Sequence, residues 1–406
     1  MRHIDLNGFR LAQRGTARDI NRRIALNLIR ARQPLSRADL ARLMGARRGA
    51  VSVLVKELID DQLVFEGAKG ETVRGRKPQF LYIETRKRCI VAVDLRPTRT
   101  SVMITDVVGE PLVGASTFPT PRDPKRFITA LAKRVRGLLD AHREFGRCEG
   151  VGVVVPGMVD LTGSRVLFAP RLDWKDVPLR ESLTIALGLP VHIENSGKAG
   201  ALAQMWIARG DGPPPADFVY LSVADGLGVG VVSNGRLLRG RHNVGGEFGH
   251  MPINVDGPPC ACGARGCWEA YVSNLATLSR YFGRPLSPHE PIPREFATLT
   301  IDDLIARARG GDSKALGALH STARYFGLGI GAMVNIVDPA RIYVSGEITT
   351  AWSVIEPVVA AAIRERVLAA ASPRPAIVLV PASDVPRLRG AAALVVAPAF
   401  AAPEVA

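Results

Sequence analysis

The first sixty residues contain three stretches in which apolar residues recur at the spacing of an α-helix. These stretches cover residues 21–32, 36–44 and 47–60. Pro34 separates the first two, and Gly45 makes a turn before the third. Ser36, with Asp39 three positions on, is typical of a helix N-cap. The residues expected to face inward are Ile24, Ala25, Leu28, Ile29, Leu40, Leu43, Val51, Leu54, Val55 and Leu58.

Two runs typical of β-strands follow, at residues 63–65 and 79–83, on either side of the polar loop GAKGETVRGRKP. Three helices followed by two strands and a basic loop predict a winged helix-turn-helix domain over residues 1–86, with its third helix in the major groove of DNA. A basic loop tip suits a narrow minor groove. The residues predicted to contact DNA are Arg47, Arg48, Ser52 and Lys56 on the third helix, and Arg74, Arg76 and Lys77 on the wing.

The distribution of charge also favours DNA as a partner. Residues 1–88 carry 20 Lys and Arg against 9 Asp and Glu, a net charge of +11, whereas the remaining residues have a net charge of only +4. An excess concentrated in one fifth of the chain indicates a segment that meets a polyanion. A solvated basic face, or a helix-turn-helix that binds protein, is the alternative. Because such domains usually read paired half-sites in double-stranded operators, a homodimer is expected.

After residue 88 the pattern changes to apolar runs that alternate with amphipathic segments. Strands are predicted at residues 89–95, 101–106, 151–155 and 341–344, and helices at 124–145 and 323–337. This alternation predicts an α/β body. No run of about eighteen apolar residues is present, and the first residues lack an apolar signal-peptide core, so a cytoplasmic protein without a membrane partner is expected.

The stretch from Gly245 to Ser273 carries the most distinctive chemistry. Cys260, Cys262 and Cys267 follow His250 in a segment rich in Gly and Pro. One nitrogen and three sulfur ligands suit a closed tetrahedral Zn²⁺ site, and a full ligand set leaves no open position for catalysis. A structural zinc ion is therefore predicted. The alternative is a set of unrelated core thiols in a turn.

Glu247-Phe248-Gly249-His250 and the run from Cys260 to Glu269 resemble motifs of the ROK family, named for repressors, open reading frames and kinases. The resemblance covers nearly the whole chain, because ROK repressors carry a winged helix-turn-helix before a sugar-kinase-like body. It implies an actin-like/hexokinase-like (ribonuclease H-like) fold over residues 87–406, with two α/β lobes around a cleft. Lobe I would span about 87–197 plus the C-terminal segment, and lobe II about 198–375. By the resemblance, the sugar would be bound by Asn195, Glu247, His250 and Glu269.

Four departures from the kinase pattern indicate that phosphoryl transfer has been lost and that no catalytic residue remains. Ser196 stands where the family has its catalytic Asp, and a hydroxyl is too weak a base for that role. Arg96 replaces a glycine of the first phosphate loop, where a side chain obstructs the phosphates. Ser345 replaces a glycine in the late turn, and Asp225 adds negative charge near the phosphates. An arginine also favours phosphate, so some nucleotide affinity could survive.

The sequence therefore predicts a DNA-binding transcriptional regulator, a repressor of carbohydrate genes, that senses a sugar or sugar phosphate. Arg171, where family members usually carry Asn, suggests an anionic effector, although a surface arginine is an equal alternative. Three further alternatives stay open. These are an active ATP-dependent sugar kinase of the glucokinase or N-acetylhexosamine kinase type with a DNA-binding head, a regulator that responds to a protein partner, and a body that binds no ligand.

Overall fold

The computed structural model describes residues 15–69, 79–206, 214–285, 287, 299–368 and 374–401. Its first six elements form a unit that we call the head. They are α1 (Thr16–Arg32), β1 (Leu35–Ser36), α2 (Arg37–Met44), α3 (Arg48–Asp60), β2 (Val64–Lys69) and β3 (Gln79–Ile83). The three strands pair antiparallel in the order β1-β3-β2. Each helix and strand expected here is present.

The N-cap predicted in the head is confirmed, whereas two of the residues predicted to face inward are exposed. The capping box at Ser36 is formed, since its hydroxyl accepts from the Asp39 backbone N–H at 3.1 Å. However, Ile24 and Leu43 were predicted to face inward and are 44% and 40% exposed. Leu26 of α1 and Ala41 of α2 are buried instead. The inward residues predicted for α3 are all buried.

The elements from β4 onward form the body, and its first lobe surrounds the five-stranded sheet β11-β7-β4-β5-β6. The lobe contains β4 (Arg88–Leu95), β5 (Arg99–Thr105), β6 (Pro111–Pro119), α4 (Pro124–Ala141), β7 (Arg147–Val155), β8 (Met158–Val159), β9 (Val166–Ala169), β10 (Trp174–Val177), α5 (Leu179–Leu187) and β11 (Val191–Asn195). Short strands β8 to β10 form a separate sheet. The helix expected over 124–145 ends at Ala141, and residues 143–145 form a 3-10 turn.

The second lobe is built on the sheet β14-β13-β12-β15-β16. Its elements are α6 (Ser196–Trp206), β12 (Phe218–Val223), β13 (Leu227–Ser233), β14 (Arg236–Leu237), α7 (Trp268–Val272), α8 (Asn274–Phe282), α9 (Ile301–Arg309), α10 (Ser313–Val337), β15 (Arg341–Gly346), α11 (Trp352–Arg366) and β16 (Ala376–Leu379); helix α12 (Pro386–Phe400) follows. The helix predicted from Ala323 begins ten residues earlier, at Ser313. Among the described helices, none is both long enough and apolar enough to cross a membrane.

Helices α6 and α12 join the two sheets. Helix α6 packs on β12 and β13 of the second lobe, whereas α12 packs on β4, β7 and β11 of the first. The two helices also pack on each other, with the Ala199 carbonyl so close to Gly390 that a Cβ there would lie 2.7 Å away. Every residue of α6 from Ser196 to Gln204 is buried. The lobes are therefore held together by two closely packed helices.

The head rests on the far ends of these same two helices. Asn27 of α1 donates to the Phe400 carbonyl at 2.8 Å, and Arg30 donates to the Trp206 carbonyl at 3.1 Å. The Arg30 guanidinium also lies 4.5 Å from the centre of the Phe400 ring and 5.3 Å from that of Trp206. Burial lowers the pKa of Arg30 to about 10. Apolar residues of α1 and α12 belong to one continuous buried cluster.

Candidate functional site

A cleft opens between the two lobes, where strands β4, β11, β12 and β15 end and α6 begins. Its wall brings together residues that are far apart in sequence: Arg96, Gly157, Arg171, Asn195, Ser196, Asp225, Glu247, His250, Glu269 and Arg387. All four residues predicted to bind a sugar therefore lie in one place.

Two carboxylates reach the cleft from the second lobe. Glu269 lies near the start of α7, and one of its oxygens accepts from the Leu227 backbone N–H at 2.9 Å, which fixes its direction. Glu247 keeps 24% of its side chain exposed. Burial raises the pKa of Glu247, and the nearby Lys198 and His250 partly oppose this shift. Fixed acceptors of this kind suit hydroxyl recognition.

Asn195, the last residue of β11, anchors the start of α6. Its side-chain oxygen accepts from the Gly197 backbone N–H at 2.8 Å, and its amide nitrogen donates to the Gly157 carbonyl at 2.9 Å. One amide hydrogen remains for a ligand. Asn195 thus connects the cleft wall to the first turn of α6, with Ser196 directly beside it.

Lys198 is a buried cation behind Glu247 that sequence reasoning missed. Its side chain is 2% exposed, and its ammonium donates to the Asn243 carbonyl at 2.5 Å and lies 3.8 Å from the Glu247 carboxylate. Burial lowers the pKa of Lys198, while Glu247 and Glu194 raise it. A lysine within the small, apolar run Gly-Lys-Ala-Gly-Ala was a signal that could have identified it.

His250, Cys260, Cys262 and Cys267 converge at one point beside the cleft, with their ligand atoms within 4.8 Å of one another. The sulfur of Cys260 lies 3.6 Å from His250 Nδ1, and those of Cys262 and Cys267 are 3.7 Å apart. A tetrahedral ion with metal–sulfur bonds of about 2.3 Å separates its sulfur ligands by about 3.8 Å. The cluster can therefore hold a metal ion of this geometry.

The backbone of this loop explains its dependence on glycine. Gly266 has φ +69°, and a Cβ there would lie 1.6 Å from the Asn254 carbonyl oxygen, so the tight turn excludes any other residue.

Burial raises the pKa of the Cys267 thiol, to about 11. A bound cation would stabilise the thiolates that burial otherwise disfavours.

Arg96, which by the sequence pattern replaces a glycine of the first phosphate loop, lines the cleft. Its guanidinium contacts Asp94 at 3.2 Å and Glu347 at 3.0 Å, and Asp94 also accepts from Arg387 at 2.7 Å. Burial alone lowers the pKa of Arg96, but Asp94, Glu347 and Asp225 raise it above its usual value. Because Arg96 lies on the first lobe and Glu347 on the second, this pair bridges the cleft.

Ser345, in contrast, does not obstruct the cleft. Its hydroxyl is fully buried and lies 2.6 Å from the Tyr220 hydroxyl, within the sheet of the second lobe. The position of Ser345 therefore does not support the expectation that this serine interferes with nucleotide binding. Arg171 does reach the cleft, with its guanidinium 3.8 Å from the Glu269 carboxylate.

The basic residues predicted on α3 form an exposed surface of the head. Arg47, Arg48 and Lys56 are exposed, Ser52 is half-buried, and no described carboxylate pairs with the three cations. Other arginines of the head are paired with carboxylates, for example Arg37 with Glu66 and Arg18 with Glu57. Three predicted contacts, Arg74, Arg76 and Lys77, lie outside the described residues.

Comparison with known proteins identifies the body. The model of the ROK family matches residues 90–397. The chain belongs to the ROK family. It is 28% identical to the xylose repressor of Bacillus subtilis over 83% of this chain and 85% of that protein. The crystal structure of a ROK family transcriptional regulator, a homologue of the E. coli MLC protein, covers 95% of this chain and 98% of its own, with a TM-score of 0.76 and 25% identity.

ROK kinases also resemble the body. A ROK family glucokinase from Streptomyces griseus, solved with glucose and AMPPNP, covers 75% of this chain and 98% of its own, with a TM-score of 0.66 and 26% identity. Similarity to regulators thus extends over the head and the body, whereas the glucokinase matches a smaller share of the chain. The resemblance to the ROK family and its two-lobed, sugar-kinase-like fold is confirmed.

Proposed function

We propose that this ROK protein is a sugar-responsive, DNA-binding transcriptional regulator that represses carbohydrate genes. The observation that carries the proposal is the junction between head and body. A head with an exposed basic helix is packed onto a ROK body through α6, the helix that begins in the cleft at Asn195 and Ser196. The regulator and the xylose repressor that resemble the chain over more than four fifths of its length support the same conclusion.

The head acts as a winged helix-turn-helix, with α3 in the major groove and the strands β2 and β3 flanking the wing. Two copies of the chain present two heads to paired half-sites. His250, Cys260, Cys262 and Cys267 hold a structural zinc ion. The ion supplies no step of a reaction in this proposal, because its four protein ligands complete a closed set. It fixes the loop that carries Glu269 and His250 beside the cleft.

The body binds a sugar without phosphorylating it. Two residues of the cleft support this. By the family pattern, Ser196 stands where the catalytic Asp would act as base, and Arg96, paired with Asp94 and Glu347, stands in the first phosphate loop. A coupled assay with ATP and a panel of hexoses tests this. Turnover at ordinary kinase rates, above about 1 s⁻¹, would favour the alternative of an active kinase with a DNA-binding head.

The effector is a neutral sugar in this proposal, because the cations of the cleft are already paired. Arg96 and Arg387 face Asp94, Arg171 faces Glu269, and Lys198 faces Glu247. A sugar phosphate would have to displace one of these carboxylates. Calorimetric titration with xylose, glucose and glucose 6-phosphate distinguishes the two, and tighter binding of the phosphate would reverse this assignment.

Replacing Arg47 and Arg48 together by alanine is expected to weaken DNA binding by about tenfold or more at 100 mM salt, because each exposed guanidinium releases a counterion on meeting a phosphate. The slope of log K against log salt should fall by about 2. Fluorescence anisotropy with duplexes selected from a random library measures both quantities.

The matched control for this double variant is Arg143→Ala, which removes a charge from an exposed arginine of the body. It should leave DNA affinity unchanged. Equal affinity and equal salt slope for the double variant and the wild type would remove α3 from the DNA interface.

Glu247→Gln is expected to lower affinity for the preferred sugar by about 10- to 100-fold, the usual cost of losing a hydrogen bond to a charged group. The amide also leaves Lys198 without its carboxylate. Calorimetry measures the change, and Glu365→Gln, an exposed residue of α11 paired with Arg324, is the control. Unchanged sugar affinity in Glu247→Gln would exclude this carboxylate from the ligand site.

A further inference from the structure

The outer face of α3 carries an apolar strip among its cations. Gly49, Ala50 and Val53 are exposed on one side of the helix, opposite the buried residues Val51, Leu54, Val55 and Leu58. Val53 is 56% exposed, the largest fraction among the large hydrophobic residues described in the head. Val53 lies four positions after Gly49 and three after Ala50, which are the spacings of neighbours on a helix surface, so the three residues form one patch centred on Val53.

Nothing within the described chain explains Gly49. Gly49 is the second residue of α3, and within a helix glycine is less favourable than alanine. A Cβ at Gly49 would meet no described atom within 4 Å, and its φ is not positive. The open space on this side of α3 is instead suited to close approach by an outside partner.

The charges around the strip indicate which partner approaches. Arg47 and Arg48 lie at the start of α3, and Lys56 lies one turn beyond Val53, so cations border the strip at both ends. This arrangement of cations around an apolar strip matches a polyanion that presents apolar groups between its phosphates. In the major groove of DNA, the apolar group on a base edge is the C5 methyl of thymine.

We propose that Val53, with Ala50, reads thymine methyl groups in the major groove, and that Gly49 allows α3 to approach closely enough for this contact. The inference rests on the proposed DNA-binding function and adds the base that the helix selects. Residues near the N-terminus of a recognition helix are the ones that reach base edges, and all three residues lie in its first two turns.

The test begins with duplexes selected from a random-sequence library by the full-length protein. Each thymine of the selected duplex is then replaced in turn by deoxyuridine, which lacks only the methyl group. With the wild-type chain, replacement at one thymine or more in each half-site should weaken binding about threefold to fivefold, measured by anisotropy at fixed salt. With Val53→Ala, binding to the unmodified duplex should weaken, and the same replacement should then have little further effect.

The controls distinguish thymine reading by Val53 from DNA binding by the chain as a whole. Ile185→Ala, which shortens an even more exposed side chain on α5 of the body, should show the full deoxyuridine effect. If deoxyuridine has no effect at any position, or acts equally on wild type and Val53→Ala, thymine reading by Val53 is overturned while DNA binding stands. If no sequence is enriched from the library, sequence-specific DNA binding itself is overturned, and this inference with it.

Discussion

Cys262→Ser should abolish stoichiometric zinc binding and lower the melting temperature of the chain by about 5–10 °C. A serine hydroxyl is a poor ligand for zinc, and the remaining two sulfurs and one nitrogen leave the set incomplete. Without the ion, the loop around Gly266 loses the positive charge that offsets two costs. These are the mutual repulsion of the thiolates and the cost of burying their charge. Metal analysis should give about one zinc per wild-type chain and far less for the variant. Calorimetric scanning gives the shift in melting temperature.

Cys148→Ser is the matched control, because it makes the same chemical change at a free cysteine of β7, away from the metal cluster. It should keep the zinc content of the wild type. Treatment with a chelator should reproduce the destabilisation in the wild type and add little to Cys262→Ser. Sugar affinity should fall together with zinc content, since Glu269 follows Cys267 by two residues. Equal zinc content in Cys262→Ser and wild type would show that these residues do not form the site.

Arg30→Ala should separate DNA binding from the response to sugar. Coupling between two sites commonly changes affinity by about 5- to 150-fold, and the variant should reduce this factor to about twofold or less. The physical reason is that the Arg30 guanidinium lies against the Phe400 and Trp206 rings and donates to the end of α6. Helix α6 starts in the cleft, where the sugar is proposed to bind. Without Arg30, the head no longer follows a movement of α6. Anisotropy with selected duplexes, with and without the preferred sugar, measures the factor.

Two further variants sharpen this experiment. Arg30→Lys keeps the charge but cannot stack a planar group on the rings, so an intermediate response is expected. Arg32→Ala removes an exposed arginine two residues further along α1 and should respond like the wild type. Circular dichroism should show equal folding in all three. A full sugar response in Arg30→Ala would mean that the signal reaches the head by another route.

The parts of the site that lie close together in the chain were predictable. His250, Cys260, Cys262 and Cys267 fall within eighteen positions, and glycines that permit a tight turn stand among them, so spacing and setting together indicate their convergence. Ser36 and Asp39 likewise predicted the start of α2, because a capping box is a contact between residues three positions apart.

The parts that depend on distant segments were not predictable. The contact between Arg387 and Asp94 joins residues 293 positions apart, and nothing local to α12 indicates that its first turn enters the cleft. Periodicity also placed Leu43 on an inner face that it does not occupy, because the inward direction of so short a helix is decided by where α1 and α3 lie. Ser345 shows the same limit, since sequence cannot tell which way a strand residue points until its pairing is known.

The ion pair between Arg96 and Glu347 bears on which signals this protein responds to. Arg96 of the first lobe and Glu347 of the second form an ion pair across the cleft, and Asp94 holds the same guanidinium. In the function proposed above, this pair joins the lobes without a nucleotide. We therefore expect the regulator to follow the supply of its sugar alone and to ignore the energy state of the cell.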